Sequence, residues 1–216
     1  MIFPEELVLP AFVGRPAGAP WVVALEGPNG AGKTTLCRLL AGRLQVPACL
    51  GIDEAWFGEP FKTRMIRDAD WYASALFFLS GYCEQMRSLR ARTERMVVMD
   101  RSLWSTLAVH AAAVPERLNT LVRVLGPLAP LIRCPDLTLV LEATFETCQT
   151  RIAYKSGTAK ALDELTATPG FHSREKEFYR WLGRKLPKVT YVNVDRAEPD
   201  VVLEDAYRRV LASLPC

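Results

Sequence analysis

Nine residues carry the clearest chemistry in the chain: Gly27-Pro28-Asn29-Gly30-Ala31-Gly32-Lys33-Thr34-Thr35. Two glycines, a lysine and a hydroxyl in the order G-x4-G-K-T are the pattern of a Walker A phosphate-binding loop. The glycines let backbone N–H groups close round phosphate oxygens without a clashing Cβ. Lys33 supplies a mobile cation for β- and γ-phosphates, and the Thr34 hydroxyl suits a Mg²⁺ ion. A second constellation is Asp100-Arg101, directly after the apolar run Met96–Met99. An acid at the end of a buried strand needs a charged partner or solvent, and beside a phosphate loop it suits support of Mg²⁺. Arg101 can fork onto a phosphate through two N–H groups.

Such groups work only if the chain brings them together. The apolar run Trp21–Leu25 before the loop and the amphipathic run Leu36–Leu44 after it predict strand, turn and helix, whose positive dipole end points at the loop. Further strands are expected at Val46–Ile52, Met96–Met99, Leu137–Leu141 and Val189–Val194. Between them, Trp71, Ala75, Phe78, Leu79, Tyr82, Met86 and Leu89 recur at helical spacing, and helices are expected over 103–126 with a break at Pro115, 145–154, 171–186 and 199–214. Five alternations of strand and helix predict an α/β fold: a five-stranded parallel sheet flanked by helices, with ligands outside the carboxyl ends of the strands. Gly27–Thr34, Asp53-Glu54, Asp100-Arg101 and Asn193–Glu198 all fall at such ends. Residues 1–20, with four prolines and two glycines, read as an irregular arm that packs on its own domain or on a partner. Residues 21–216 read as one domain with a polar, mobile segment at about 155–170.

Composition narrows the classes. With 216 residues, half of them hydrophobic and 24% charged, the chain can build a core without disulfide or metal staples. A net charge of +3 with no dense basic block suits a small anionic substrate and argues against nucleic acid. Six scattered cysteines and two histidines have no zinc-site spacing. Glu5 and Glu6 near the start do not support a signal peptide, no apolar run reaches membrane length, and a cytoplasmic protein with reduced thiols is expected.

The stretches Glu26–Thr35, Asp100–Thr106, Pro135–Glu142, Arg151-Ile152 and Val192–Asp195 resemble the thymidylate kinase family of P-loop nucleotide kinases. The resemblance implies a kinase holding ATP and Mg²⁺ through Pro28, Asn29, Gly30, Ala31, Gly32, Lys33, Thr34 and Thr35. It places Asp195 at the adenine edge, Asp100 near the metal, Arg101 on the acceptor's phosphate and Arg151 at the start of a lid facing the ATP phosphates. It also implies a homodimer, for which the apolar helix carrying Leu103, Leu107, Val109 and Ala111–Ala113 offers a face, unless that stripe is core. Three features depart from the family: Tyr82 in place of a grip arginine, few cations between Lys155 and Phe171, and Ser102 in place of tyrosine. Asp100-Arg101-Ser102 and Asp53-Glu54-Ala55-Trp56 are instead similar to deoxynucleoside kinases, where an acid takes a proton from the acceptor hydroxyl. The acceptor stays open between a nucleoside monophosphate, the leading expectation, and the hydroxyl of a nucleoside or other small molecule; a nucleotide-binding protein without phosphotransfer, suggested by the thin lid, ranks last. Arg101 with Arg64 or Arg67 serves the first, and Asp53 or Glu54 the second. Trp71, Phe77, Phe78 and Tyr82 offer faces for a planar base or for the core, and Ser105 a hydroxyl near it.

Overall fold

The computed structural model describes residues 2–52, 57–154, 161–195 and 198–214. Asp53, Glu54 and Trp56 therefore lie outside the described residues, as does most of the run that opens the expected lid.

Five strands form one parallel sheet: β1 (Trp21–Glu26), β2 (Ala48–Leu50), β3 (Met96–Asp100), β4 (Leu137–Glu142) and β5 (Val189–Asn193), in the order β2-β3-β1-β4-β5. The central strands read as continuous apolar runs because both faces are covered, and alternate residues serve opposite cores. Val22, Val97, Met99 and Val140 face one core, while Val23, Leu25, Met96, Val98, Leu139 and Leu141 face the other. The second core is closed by α1 (Lys33–Leu44) and by the C-terminal helix (Pro199–Ser213), through Leu36, Leu40, Ala206 and Val210.

The first core lies under α3 (Trp71–Ser88), α4 (Leu103–Ala113), α5 (Arg117–Leu125) and α8 (Pro169–Lys185); the short helices α2 (Phe61–Arg67) and α7 (Ala161–Leu165) lie outside it, and α6 (Phe145–Tyr154) turns its buried Cys148 to the second core. The break at Pro115 falls between α4 and α5 as expected. The stripe offered as a dimer face is internal: Leu103, Leu107, Ala111 and Ala112 are fully buried, and α4 packs against α8 and α3. Two expectations are corrected in length. β2 spans three residues rather than seven, and α8 starts at Pro169, where the Thr168 hydroxyl accepts from Phe171 N–H as an N-cap.

The arm packs on its own domain. Phe3 is buried against Phe178 and Trp181, the Trp181 indole donates to the Pro4 carbonyl at 3.0 Å, and Glu5 pairs with Arg184 at 2.7 Å. Further along, Val13 N–H bonds the Ile132 carbonyl at 3.0 Å and Phe12 meets the edge of Trp104.

Candidate active site

β1 lies between β3 and β4, and the chain leaves β1 toward β2 on one side but leaves β3 for β4 on the other. A crevice opens where strand order reverses in this way, and the phosphate loop emerges there. The loop is packed too tightly for side chains. A Cβ on Gly27, at φ +122°, would stand 2.5 Å from the Leu141 carbonyl oxygen, and one on Gly30, at φ +84°, would run into the backbone of Cys148. β1, β4 and α6 therefore press on the loop from outside, and only residues without a Cβ fit at those two points.

Lys33 is buried, and its ammonium donates to the carbonyls of Gly27 at 2.7 Å and Pro28 at 2.6 Å. Burial and the nearby Arg101 guanidinium push its pKa down to about 7, against the pull of Glu175, Asp100 and Glu26. The Thr34 hydroxyl bonds Asp100 Oδ2 at 2.5 Å, while Asp100 Oδ1 is buried with no hydrogen-bond partner. That pair of hard oxygens, one of them unsatisfied, fits a Mg²⁺ ion.

Arg101 adopts φ +74°, a left-handed conformation a β-branched or large side chain rarely takes, fixed by its N–H bonding the Leu25 carbonyl at 3.0 Å. Behind it sits a buried polar nest that the sequence reading missed. Glu26, wholly buried, accepts from Ser102 N–H and hydroxyl at 2.7 and 2.6 Å, from the Tyr179 hydroxyl at 2.9 Å and from the Ser105 hydroxyl. Glu175 is buried too, with Lys33 and Arg101 as its opposite charges. Burial raises the pKa of both carboxyls; hydrogen bonds from Ser102 and Ser105, then the Arg101 charge, oppose this at Glu26, and the charges of Lys33 and Arg101 oppose it at Glu175. A signal existed: Glu26 is an acid ending a run of five apolar residues, and its position demands donors.

Beside the loop lies a cavity of about 1160 Å³. One face of α3 (Trp71, Ser74, Phe78, Tyr82, Gln85) forms one wall, and one face of α4 (Ser105, Thr106, Val109, His110) forms another. Gln85 donates its amide to the Gly51 carbonyl at 2.6 Å, and the Tyr82 hydroxyl donates to the Arg133 carbonyl at 2.5 Å. Lys62, Arg38, Arg101 and Arg117 also line it. The short helix α7 borders the same space. Its Asp163 accepts from the Asn29 amide of the phosphate loop at 2.6 Å, and its Glu164 takes both a 2.7 Å and a 3.2 Å bond from the Arg67 guanidinium of α2. The lid region is thus acidic here and is tied to both sides of the crevice.

Several expected site residues fall elsewhere. Arg64 is exposed and outside the cavity; on a seven-residue helix without a buried anchor the sequence does not set the phase, and Lys62 takes the inward position. Phe77 packs on Phe57 and Phe78 rather than lining the cavity. Ser105 lines it, but its hydroxyl is held by Glu26. Arg151 donates to the Ala31 carbonyl at 3.1 Å and the Val194 carbonyl at 2.8 Å, bracing the loop against the end of β5 instead of pointing into the cavity. Asp195 accepts from Thr144 N–H at 2.9 Å at the start of α6, so its carboxylate has a local partner. Thr35 is exposed on the first turn of α1. Trp71, Phe78, Tyr82, Asn29, Thr34, Asp100 and Arg101 are brought together around the cavity.

Comparison with known proteins agrees with this geometry. The chain is 31% identical to a thymidylate kinase from Thermomicrobium roseum over 199 residues, 86% of this chain and 91% of that protein. Its fold matches deoxyadenosine kinase from M. mycoides with bound dATP (TM-score 0.66, 17% identity, 88% of this chain and 99% of the other). It also matches thymidylate kinase from Candida albicans (TM-score 0.68, 19% identity, 90% and 92%). A family model described as deoxynucleoside kinase matches residues 23–213. With loop, sheet order and sequence all in agreement, the chain belongs to the deoxynucleoside kinase family of nucleoside and nucleotide kinases.

Proposed function

We propose that the protein moves the γ-phosphate of ATP onto the phosphate of a nucleoside monophosphate. The observation carrying this reading is the charge state of the cavity wall. Among the described residues, the Arg38, Lys62 and Arg101 side chains have no hydrogen bond or ion pair, whereas Asp70, Asp100 and Asp163 accept hydrogen bonds from Tyr72, Thr34 and Asn29. Cations with no hydrogen-bonded partner among the described residues, beside carboxylates that have one, suit an acceptor that brings its own negative charge.

In this reading the loop N–H groups and Lys33 hold the β- and γ-phosphates, and Arg101 draws the acceptor phosphate into line with them. Thr34 and Asp100 would hold Mg²⁺, which when bound neutralises charge on the phosphate oxygens. The left-handed backbone of Arg101 and the buried charges of Glu26 and Glu175 nearby favour its guanidinium at this end of the crevice before substrate arrives. Arg151 acts through the loop as a brace, a positioning role.

A hydroxyl acceptor is the second reading, favoured by the matching family and by Ser102 on Glu26. Its base would be Asp53 or Glu54, which lie outside the described residues. ADP release measured with nucleoside monophosphates and with the corresponding nucleosides decides between them. Turnover restricted to monophosphates is expected; turnover restricted to nucleosides replaces the first reading by the second.

A further inference from the structure

His110 has a place in the cavity that the phosphate chemistry does not use. It is only 7% exposed, yet its ring nitrogens have no hydrogen-bond partner among the described residues. Its imidazole stands 6.1 Å from the Trp71 ring, and the Arg117 guanidinium lies 5.1 Å over the same indole. Burial and Arg117 push the pKa of His110 down to about 4, so at neutral pH the ring is uncharged and offers one donor and one acceptor. A polar ring on a cavity wall without a protein partner leaves its donor and acceptor for a ligand to match.

Position says which part of the ligand. α4 begins beside Asp100-Arg101, where the phosphates meet, and its cavity face runs through Ser105 and Thr106 to His110. The seven residue-to-residue steps from Leu103 to His110 span about 10 Å at helical rise. That length leaves room for a sugar and sets a heterocyclic ring against His110. We propose that His110, with Arg117, is the specificity determinant that reads the base of the acceptor, and that it selects bases with a carbonyl where cytosine and adenine carry an amino group. The guanidinium has donors only, so an amino group there sets donor against donor, while a carbonyl satisfies it. Trp71 supplies the flat wall along which the ring lies.

This inference rests on the nucleoside-type acceptor proposed above, for either phosphorylation state. The test is calorimetry of wild type, His110→Phe and Arg117→Met with Mg-ATP, and then with deoxyuridine and deoxycytidine monophosphates and their nucleosides. His110→Phe keeps a ring in the aromatic contact and removes only the polar edge. Wild type is expected to favour the uracil compounds. Each variant should lower that preference about tenfold, the range of one lost hydrogen bond, with Mg-ATP affinity unchanged. A preference kept within twofold in both variants, or a wild-type preference for the cytosine compounds, overturns the assignment while leaving the kinase reading intact. Uptake of Mg-ATP with no binding of any of the four acceptors removes the acceptor reading, and the assignment with it.

Discussion

Lys33 holds its charge beneath the loop under opposing influences. Burial and Arg101 disfavour the ammonium, three carboxylates favour it, and the balance sets its pKa near 7 against an ordinary 10.5. The unfolded chain therefore binds more protons than the folded one between those values, and the Lys33 contribution to stability rises with pH across that window. ATP brings phosphate charge to the same nitrogen and restores its proton. Mg-ATP binding at pH 8 should thus take up close to one proton, falling toward zero below pH 6. Calorimetry in buffers of different ionisation enthalpy measures this, and Lys33→Met should abolish the uptake along with nearly all turnover. Asp100→Asn tests the metal reading: kcat should fall by about 10²- to 10³-fold, the scale of losing one preorganised electrostatic group, with partial recovery at high Mg²⁺. At this scale the sequence displayed Lys33, Thr34, Asp100 and Arg101 because their spacing is local. It did not display Glu175 or Tyr179, which reach the loop from α8, about 150 residues along the chain, on a helix whose pattern reads simply as amphipathic.

Helix α7 shows what an element of five residues can do when its contacts point both ways. Asp163 holds Asn29 on the ATP-side loop and Glu164 holds Arg67 on α2, so the segment links the two halves of the crevice. The Arg67–Glu164 pair is about half exposed, and such pairs contribute only ~0–1 kcal/mol. Reversing one charge should accordingly raise acceptor KM about threefold, more at low salt than at high. The exchange Arg67→Glu with Glu164→Arg should restore the wild-type value; steady-state kinetics at two ionic strengths checks it. Polar composition made 155–170 look like a mobile loop, since nothing in that run names its distant partners. Periodicity served better for α3 and α4, whose buried faces repeat for several turns, and worse for α2, too short to reveal which of Lys62 and Arg64 turns inward. For α4 the apolar stripe was legible but not its neighbour, and α8 covers it.

The whole molecule is a sheet whose two faces are sealed by unequal means. One face is covered by α1 and the C-terminal helix with Cys148 of α6; the other adds the arm to its helices. Five strand–helix alternations made the parallel sheet readable, because buried parallel strands are runs of apolar residues. The arm's route was not readable, as prolines prevent regular structure without saying where a chain lies down. Its first anchor is Phe3, packed on Phe178 and Trp181. Phe3→Ala should cost about 3–5 kcal/mol of stability, read as a lowered thermal midpoint. The helix that receives this anchor is also the one that carries Glu175 and Tyr179 to the floor of the phosphate loop. Anyone trimming residues 2–13 to ease crystal growth would be pulling on the far end of the same rod, and a weakened hold on ATP in such a shortened protein would report lost bracing rather than lost contact with the nucleotide.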